Sequence, residues 1–126
     1  MSLFDRLAGR LAFNDRPGRV RALVDGQVVF DTARAKVLRE GRLPPRVYVP
    51  LADLNHAVIE ASEHTTHCPL KGDARYWSIR VGDRLVEDAV WTYPKPEASA
   101  AYLAGYAAVY PEKVDDWIEE EEDETP

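Results

Sequence analysis

The stretch Val20-Arg21-Ala22-Leu23-Val24-Asp25-Gly26-Gln27-Val28-Val29-Phe30 decides how this chain is read. Two β-rich runs flank the dipeptide Asp25-Gly26. Asp-Gly tolerates positive φ at both central residues of a two-residue turn, the twist that a tight hairpin demands. A β-hairpin over residues 20–30 is the expectation, and the rest of the chain is read outward from it.

Toward the C-terminus, Thr32 to Glu40 is ambiguous between helix and strand, and Pro44-Pro45 then forces extended chain into a short strand, Val47-Tyr48-Val49, stopped by Pro50. Residues 51–62 place Leu54, Ala57, Val58 and Ala61 at three- and four-residue steps, which predicts the main internal helix with Asp53 in its first turn. Residues 63–73 read as a polar loop. Tyr76 to Val81 and Leu85 to Tyr93 read as two strands about the turn Gly82-Asp83. Residues 98–110 are alanine-rich, yet Tyr102, Ala104, Tyr106, Ala108 and Tyr110 alternate. The expectation there is a helical turn near 98–101 and a strand around 104–110, with a last short strand at Val114 to Ile118.

Toward the N-terminus, Asn14-Asp15-Arg16-Pro17-Gly18 is a break. Before it, Leu3, Phe4, Leu7 and Leu11 recur at helical spacing, so residues 1–16 are read as an amphipathic N-terminal helix. The sum is an α+β class: a small β-dominated single domain over 17–118, with about seven short, mostly antiparallel strands, one main internal helix and an N-terminal helix. Residues 119–126 are read as an acidic disordered tail.

Composition narrows the function classes. The chain has 126 residues, enough for one domain, and is 45% hydrophobic and 30% charged. Its formal charge is −6, from 22 acids and 16 bases. Residues 112–126 hold nine of those acids and one base, Lys113, so residues 1–111 carry 13 acids and 15 bases, a net of +2. A near-neutral body does not fit a strongly basic nucleic-acid binder. No apolar run approaches the ~20 residues of a membrane span. The single cysteine, Cys68, excludes an internal disulfide, and the first residues lack a secretory pattern. Both point to a cytoplasmic location. Neither nucleic acid nor membrane is expected as a partner, and a small molecule is; the oligomeric state stays open.

The chemistry-bearing residues gather around 63–73. Glycine-rich phosphate loops, Gly-x-Ser-x-Gly and His-Glu-x-x-His are absent, so no cofactor is implied. Cys68 precedes Lys71-Gly72 by three residues, and an ammonium nearby favours the nucleophilic thiolate. His64 and His67 offer a base, and Gly72 lets backbone approach a ligand. The competing reading makes Cys68 a small buried apolar residue with Lys71 in water. A zinc site from His56, His64, His67 and Cys68 lacks the paired spacing such sites use, so no metal is expected. Tyr48, Tyr76, Trp77, Trp91 and Tyr93 are either core or the walls of a pocket. Trp91 and Tyr93 share a strand face.

These same segments resemble a known family. Val24-Asp25-Gly26-Gln27-Val28-Val29-Phe30-Asp31, Leu38-Arg39-Glu40, Arg46-Val47-Tyr48-Val49-Pro50, the run from Thr66-His67-Cys68-Pro69-Leu70-Lys71-Gly72-Asp73 to Tyr76-Trp77, and Ala89-Val90-Trp91-Thr92-Tyr93-Pro94 occur in its order. The chain is similar, over about residues 19–118, to the domain-of-unknown-function 427 family, which some collections label nucleotidyltransferase-like. The resemblance implies a compact β-rich domain of bacterial and fungal proteins without an agreed reaction. Its motif maps onto Glu40, Tyr48, Pro50, Asp53, Cys68, Lys71, Gly72, Tyr76, Trp91 and Tyr93. Polymerase-type nucleotidyltransferases clamp a divalent ion with an Asp-x-Asp pair beside a Gly-Ser pair. This chain has neither.

Two functions follow as expectations. In the first, a small ligand binds near Cys68 and Lys71, the candidate catalytic residues, with Glu40, Tyr48, Asp53, Gly72, Tyr76, Trp91 and Tyr93 lining the pocket. In the second, the domain is a non-catalytic protein-interaction module in which Cys68 and the aromatics are core.

Overall fold

The structure, a computed structural model, describes residues 11–121. Ten strands build it: β1 (Leu11–Asp15), β2 (Arg19–Val24), β3 (Gln27–Thr32), β4 (Lys36–Glu40), β5 (Arg46–Pro50), β6 (Ile59–Cys68), β7 (Gly72–Val81), β8 (Arg84–Thr92), β9 (Tyr106–Val109) and β10 (Asp116–Glu120). They form a seven-stranded sheet in the order β1-β4-β5-β9-β8-β7-β6 and a three-stranded sheet in the order β10-β2-β3. Every pairing is antiparallel. The β2–β3 hairpin turns on Asp25 (φ 48°) and Gly26 (φ 75°), as the Asp-Gly signal requires.

Period-two alternation sorts the large sheet into two buried faces. Val49, Ile79, Val90, Ala107 and Val109 point to the small sheet and meet Val20, Ala22, Val24, Val29 and Phe30 in the main core. Burying a side chain such as Phe30 completely contributes about 1.5–3 kcal/mol. The neighbouring residues Leu38, Tyr48, Trp91 and Ala108 point the other way and pack with Tyr93, Ala100 and Leu103. This outer face is covered in part by the 3-10 segment Ala98–Leu103.

The α+β expectation is overturned: among the described residues there is no α-helix, only short 3-10 segments. Residues 51–62 form two such turns, Leu51–Asp53 and His56–Val58, and then enter β6. The reason is that β3 captures this backbone. The Asn55 amide donates to Val29 O at 2.7 Å and its side-chain Nδ2 to Val28 O at 2.8 Å. Leu54 bridges Phe30, and Asn55 Oδ1 accepts from Ala57 N at 3.1 Å. These tertiary bonds outweigh a helical spacing of four apolar residues. From Ile59 the ladder with β7 takes over, and the polar run 63–68 is strand, not loop. It reads as polar because β6 is an edge strand with most side chains exposed.

At the N-terminus, Leu11–Asp15 is a strand paired with β4 rather than the end of a helix. Residues 1–10, the rest of the expected N-terminal helix, lie outside the described residues. At the other end, β10 continues past Ile118 through Glu119 and Glu120, where the sequence reading begins the acidic tail. These two acids lie opposite Val20 and Arg19 and reach Arg16 (3.6 Å) and Arg21 (3.8 Å). Their charges are drawn into the sheet edge by basic neighbours. Residues 122–126, the remainder of the expected tail, lie outside the described residues. The helical turn expected near 98–101 appears as the 3-10 segment Ala98–Leu103, and the strand expected around 104–110 as β9. No helix among the described residues is long and apolar enough to cross a membrane.

Candidate functional site

The outer face of the large sheet carries the site. Tyr48, Ala108, Trp91 and Tyr76 stand opposite one another across β5, β9, β8 and β7 in a single cross-strand row. Ala108 contributes only a methyl group, so the Tyr48 and Trp91 side chains meet above it. Their rings lie edge to face at 6.1 Å, and Trp91 Nε1 donates to Tyr48 Oη at 3.3 Å. Next to this row a cavity of about 230 Å³ opens under the β4–β5 loop, where Leu43 and Pro44 form its rim.

Charges enter the cavity from two sides. Lys71, in the β6–β7 turn, donates to Glu40 Oε1 at the end of β4 over 2.6 Å. The two side chains are only 13% and 16% exposed, and Lys71 Nζ lies 5.6 Å from the Tyr93 ring centre. Arg46, the first residue of β5, places its guanidinium 5.9 Å from the Trp91 ring and 5.4 Å from that of Tyr110. Those two rings pack at 4.4 Å. Arg46 also faces Glu112 at 3.7 Å, but that carboxylate is 60% exposed and water weakens the pair. Arginine over aromatic faces is held by the ring quadrupole without losing its hydrogen-bond donors.

Burial pushes the Tyr48 and Tyr93 hydroxyls well above the ordinary phenol range, with neighbouring Tyr93 adding to the effect at Tyr48 and the Cys68 thiol at Tyr93. Burial also raises Tyr110, helped by Tyr76. These phenols stay neutral at physiological pH and can donate hydrogen bonds.

Of the residues singled out in the sequence, Glu40, Tyr48, Lys71, Tyr76, Trp91 and Tyr93 line this one cavity. Three do not. Cys68 is half-buried and packs against the cluster that includes Tyr48 and Tyr93. Neither candidate base reaches it: His67 pairs with Asp73 at 2.7 Å, and His64 lies against the Tyr76 ring at 4.6 Å. Gly72 has φ +111°, and the chain that approaches it closely is the protein's own: a Cβ there would sit 3.2 Å from Lys95 O. Asp53 is held elsewhere, accepting from Thr32 Oγ1 at 2.7 Å and Arg34 at 3.1 Å. His56 bonds to Leu51 O at 2.8 Å.

Besides the rim residues Leu43 and Pro44, two lining residues, Arg46 and Tyr110, were not among the candidate site residues. The signal was available by alternation: Arg46 shares the face of Tyr48 two residues on, and Tyr110 that of Ala108.

No match to the chain is found among the curated proteins. The family model described as Domain of unknown function (DUF427) matches residues 11–120, from the first residue of β1 to the last of β10. A match over the whole of both sheets settles the assignment, and the chain belongs to the Domain of unknown function (DUF427) family.

Proposed function

We propose that the domain binds a compact, planar anion in the aromatic cavity, with Arg46 and Lys71 meeting its charge. The observation that carries this reading is the Lys71–Glu40 pair. Withdrawing two charges from water costs several kcal/mol per ion, and an apolar pair of similar volume often holds a fold as well or better. A shielded ion pair on an aromatic cavity makes most sense as part of a binding site.

The chemistry of the walls defines the ligand. Lys71 spends one of its three N–H donors on Glu40, leaving two for a ligand. The fork of Arg46 suits a carboxylate in two-point contact. Two cations against one shielded carboxylate leave a single positive charge to be met. The neutral Tyr48 and Tyr93 hydroxyls add directional contacts, and Trp91 and Tyr110 supply flat apolar surface. At about 230 Å³ the cavity falls below the ~300–1,000 Å³ of drug-sized sites, so the ligand is small. Should chemistry follow binding, stabilisation of a developing anion by Lys71 is the step this geometry offers. Cys68 is not among the residues that line the cavity and packs against the outer-face cluster. The unpaired cysteine supports a cytoplasmic location.

A second reading, in which the cavity receives a side chain from a partner's loop, is favoured by Leu43, 60% exposed on the rim. Calorimetric titration with benzoate separates the two. Saturable binding that Arg46→Gln weakens at least tenfold, with benzyl alcohol much weaker than benzoate, supports the ligand reading. Absence of saturable binding across a panel of small planar anions, or an Arg46→Gln affinity equal to wild type, overturns it.

A further inference from the structure

A second cavity, of about 390 Å³, lies on the opposite, inner face of the large sheet, where cover by the small sheet runs out. The odd-numbered residues of β7 trace that edge. Ile79 is fully buried in the main core, Trp77 packs on the core but is only half-buried, and Arg75 is exposed. The cavity is walled by Trp77 with Leu51 and Pro94, and Arg75 stands at its border with Ser62.

The surrounding strands are bent to shape it. Opposite Tyr76, residues Ser62–His64 bulge from β6, because Ala61 pairs with Trp77 while Thr65 pairs with Arg75. Opposite Ser78, residues Glu87–Ala89 bulge from β8 in the same way. The two bulges are tied across β7 by a hydrogen bond from Ser62 Oγ to Asp88 Oδ1, and Asp88 is held at φ 50°, a conformation that costs a non-glycine residue energy. Bulges at such positions re-aim side chains. They leave Ser62 at the cavity wall.

Two groups there lack partners among the described residues. Arg16, Arg19, Arg21, Arg34, Arg46, Arg80 and Arg84 each pair with an acid, whereas Arg75, like the exposed Arg39 and Arg42, has neither an ion pair nor a side-chain hydrogen bond among the described residues; of these three only Arg75 borders this cavity. The indole N–H of Trp77 is also without an acceptor, although those of Trp91 and Trp117 have theirs. A free guanidinium at the border of a mainly apolar cavity complements a molecule with an apolar body and one carboxylate. We propose that this inner-face cavity is a second binding site, taking a small amphipathic carboxylate whose tail packs on Trp77, Leu51 and Pro94 and whose acid group pairs with Arg75. It lies on the other face of the sheet from the aromatic cavity, with Tyr76 of β7 common to both linings, and does not depend on that site's ligand.

The test uses octanoate and 1-octanol as probes on the full chain, followed by amide and indole N–H resonances. Octanoate is expected to shift the Trp77 indole, Arg75 and Ser62 signals saturably, and to bind at least tenfold more tightly than 1-octanol. Arg75→Gln, an exposed substitution that leaves the fold intact, is expected to erase that preference, and Arg80→Gln, an exposed β7 change in neither cavity, to leave it unchanged. Equal binding of acid and alcohol to wild type, shifts centred on Trp91 and Tyr48 instead, or no saturable shift overturns the proposal.

Discussion

Replacing Lys71 by methionine isolates the energetic role of the ion pair. The pair is short, 2.6 Å, and both side chains are largely out of water. Lys71→Met keeps most of the apolar stem but strands the Glu40 carboxylate beside Tyr48 and Tyr93. Removing one partner of a buried pair costs about 3–5 kcal/mol, and the residual exposure here puts the expectation at about 2–4 kcal/mol. For a domain of this size that is a fall in Tm of roughly 10 °C. Glu40→Leu combined with Lys71→Met removes both charges together, and this double variant should regain wild-type stability within about 1 kcal/mol. Urea unfolding at pH 7, followed by tryptophan fluorescence, measures all four members of the cycle. The double variant, folded and stable, should no longer bind benzoate. A Lys71→Met cost below about 0.5 kcal/mol, or single-variant costs that simply add, would refute the argument that the pair is shielded and coupled.

Three further perturbations probe the surroundings. Gly72→Ala places a Cβ at φ +111° against the Lys95–Glu97 backbone and should destabilise by about 1–3 kcal/mol in urea melts. Cys68→Ala should leave benzoate affinity within twofold of wild type, and the native thiol should label more slowly than the unfolded one, because it is half-buried and no histidine reaches it. Arg84, aided by the Asp25 amide, holds Asp115 down at about 2, below its unfolded value near 4. A depressed carboxyl contributes stability above the unfolded pKa and loses it as pH falls toward the folded one. Wild type should therefore exceed Asp115→Asn in stability at pH 6, and the gap should close between about pH 4 and 2 in urea melts at each pH.

Much of the site was legible because it is written in alternation. Trp91 and Tyr93 share a face by spacing alone, and Glu40, Tyr48 and Lys71 were picked out by the motif that carries the family resemblance. What brings them together is register: the row Tyr48–Ala108–Trp91–Tyr76 depends on β9 inserting between β5 and β8, a long-range choice that no local pattern encodes. The hairpin at Asp25-Gly26 was legible because its turn chemistry is local. The helix expected at 51–62 was not refuted by its own residues but by Val28 and Val29, whose carbonyls claim Asn55. Edge strand β6 was hidden because its polar side chains mimic a loop. Gly72 was read as a point where backbone approaches a ligand, whereas the group that comes close is residues 95–97 of the same chain, which no local pattern encodes.

In the function proposed above, the outer face of the large sheet is a binding site whose cations recognise a small planar anion. The most direct measurement is a benzoate titration of the full chain that follows the Arg46 Nε–H and the Trp91 indole N–H by NMR. Anion binding there is expected to give saturable shifts of both signals with one shared Kd, lost together in the Glu40→Leu, Lys71→Met double variant. Shifts that leave Arg46 and Trp91 untouched, or that persist undiminished in the double variant, would contradict it.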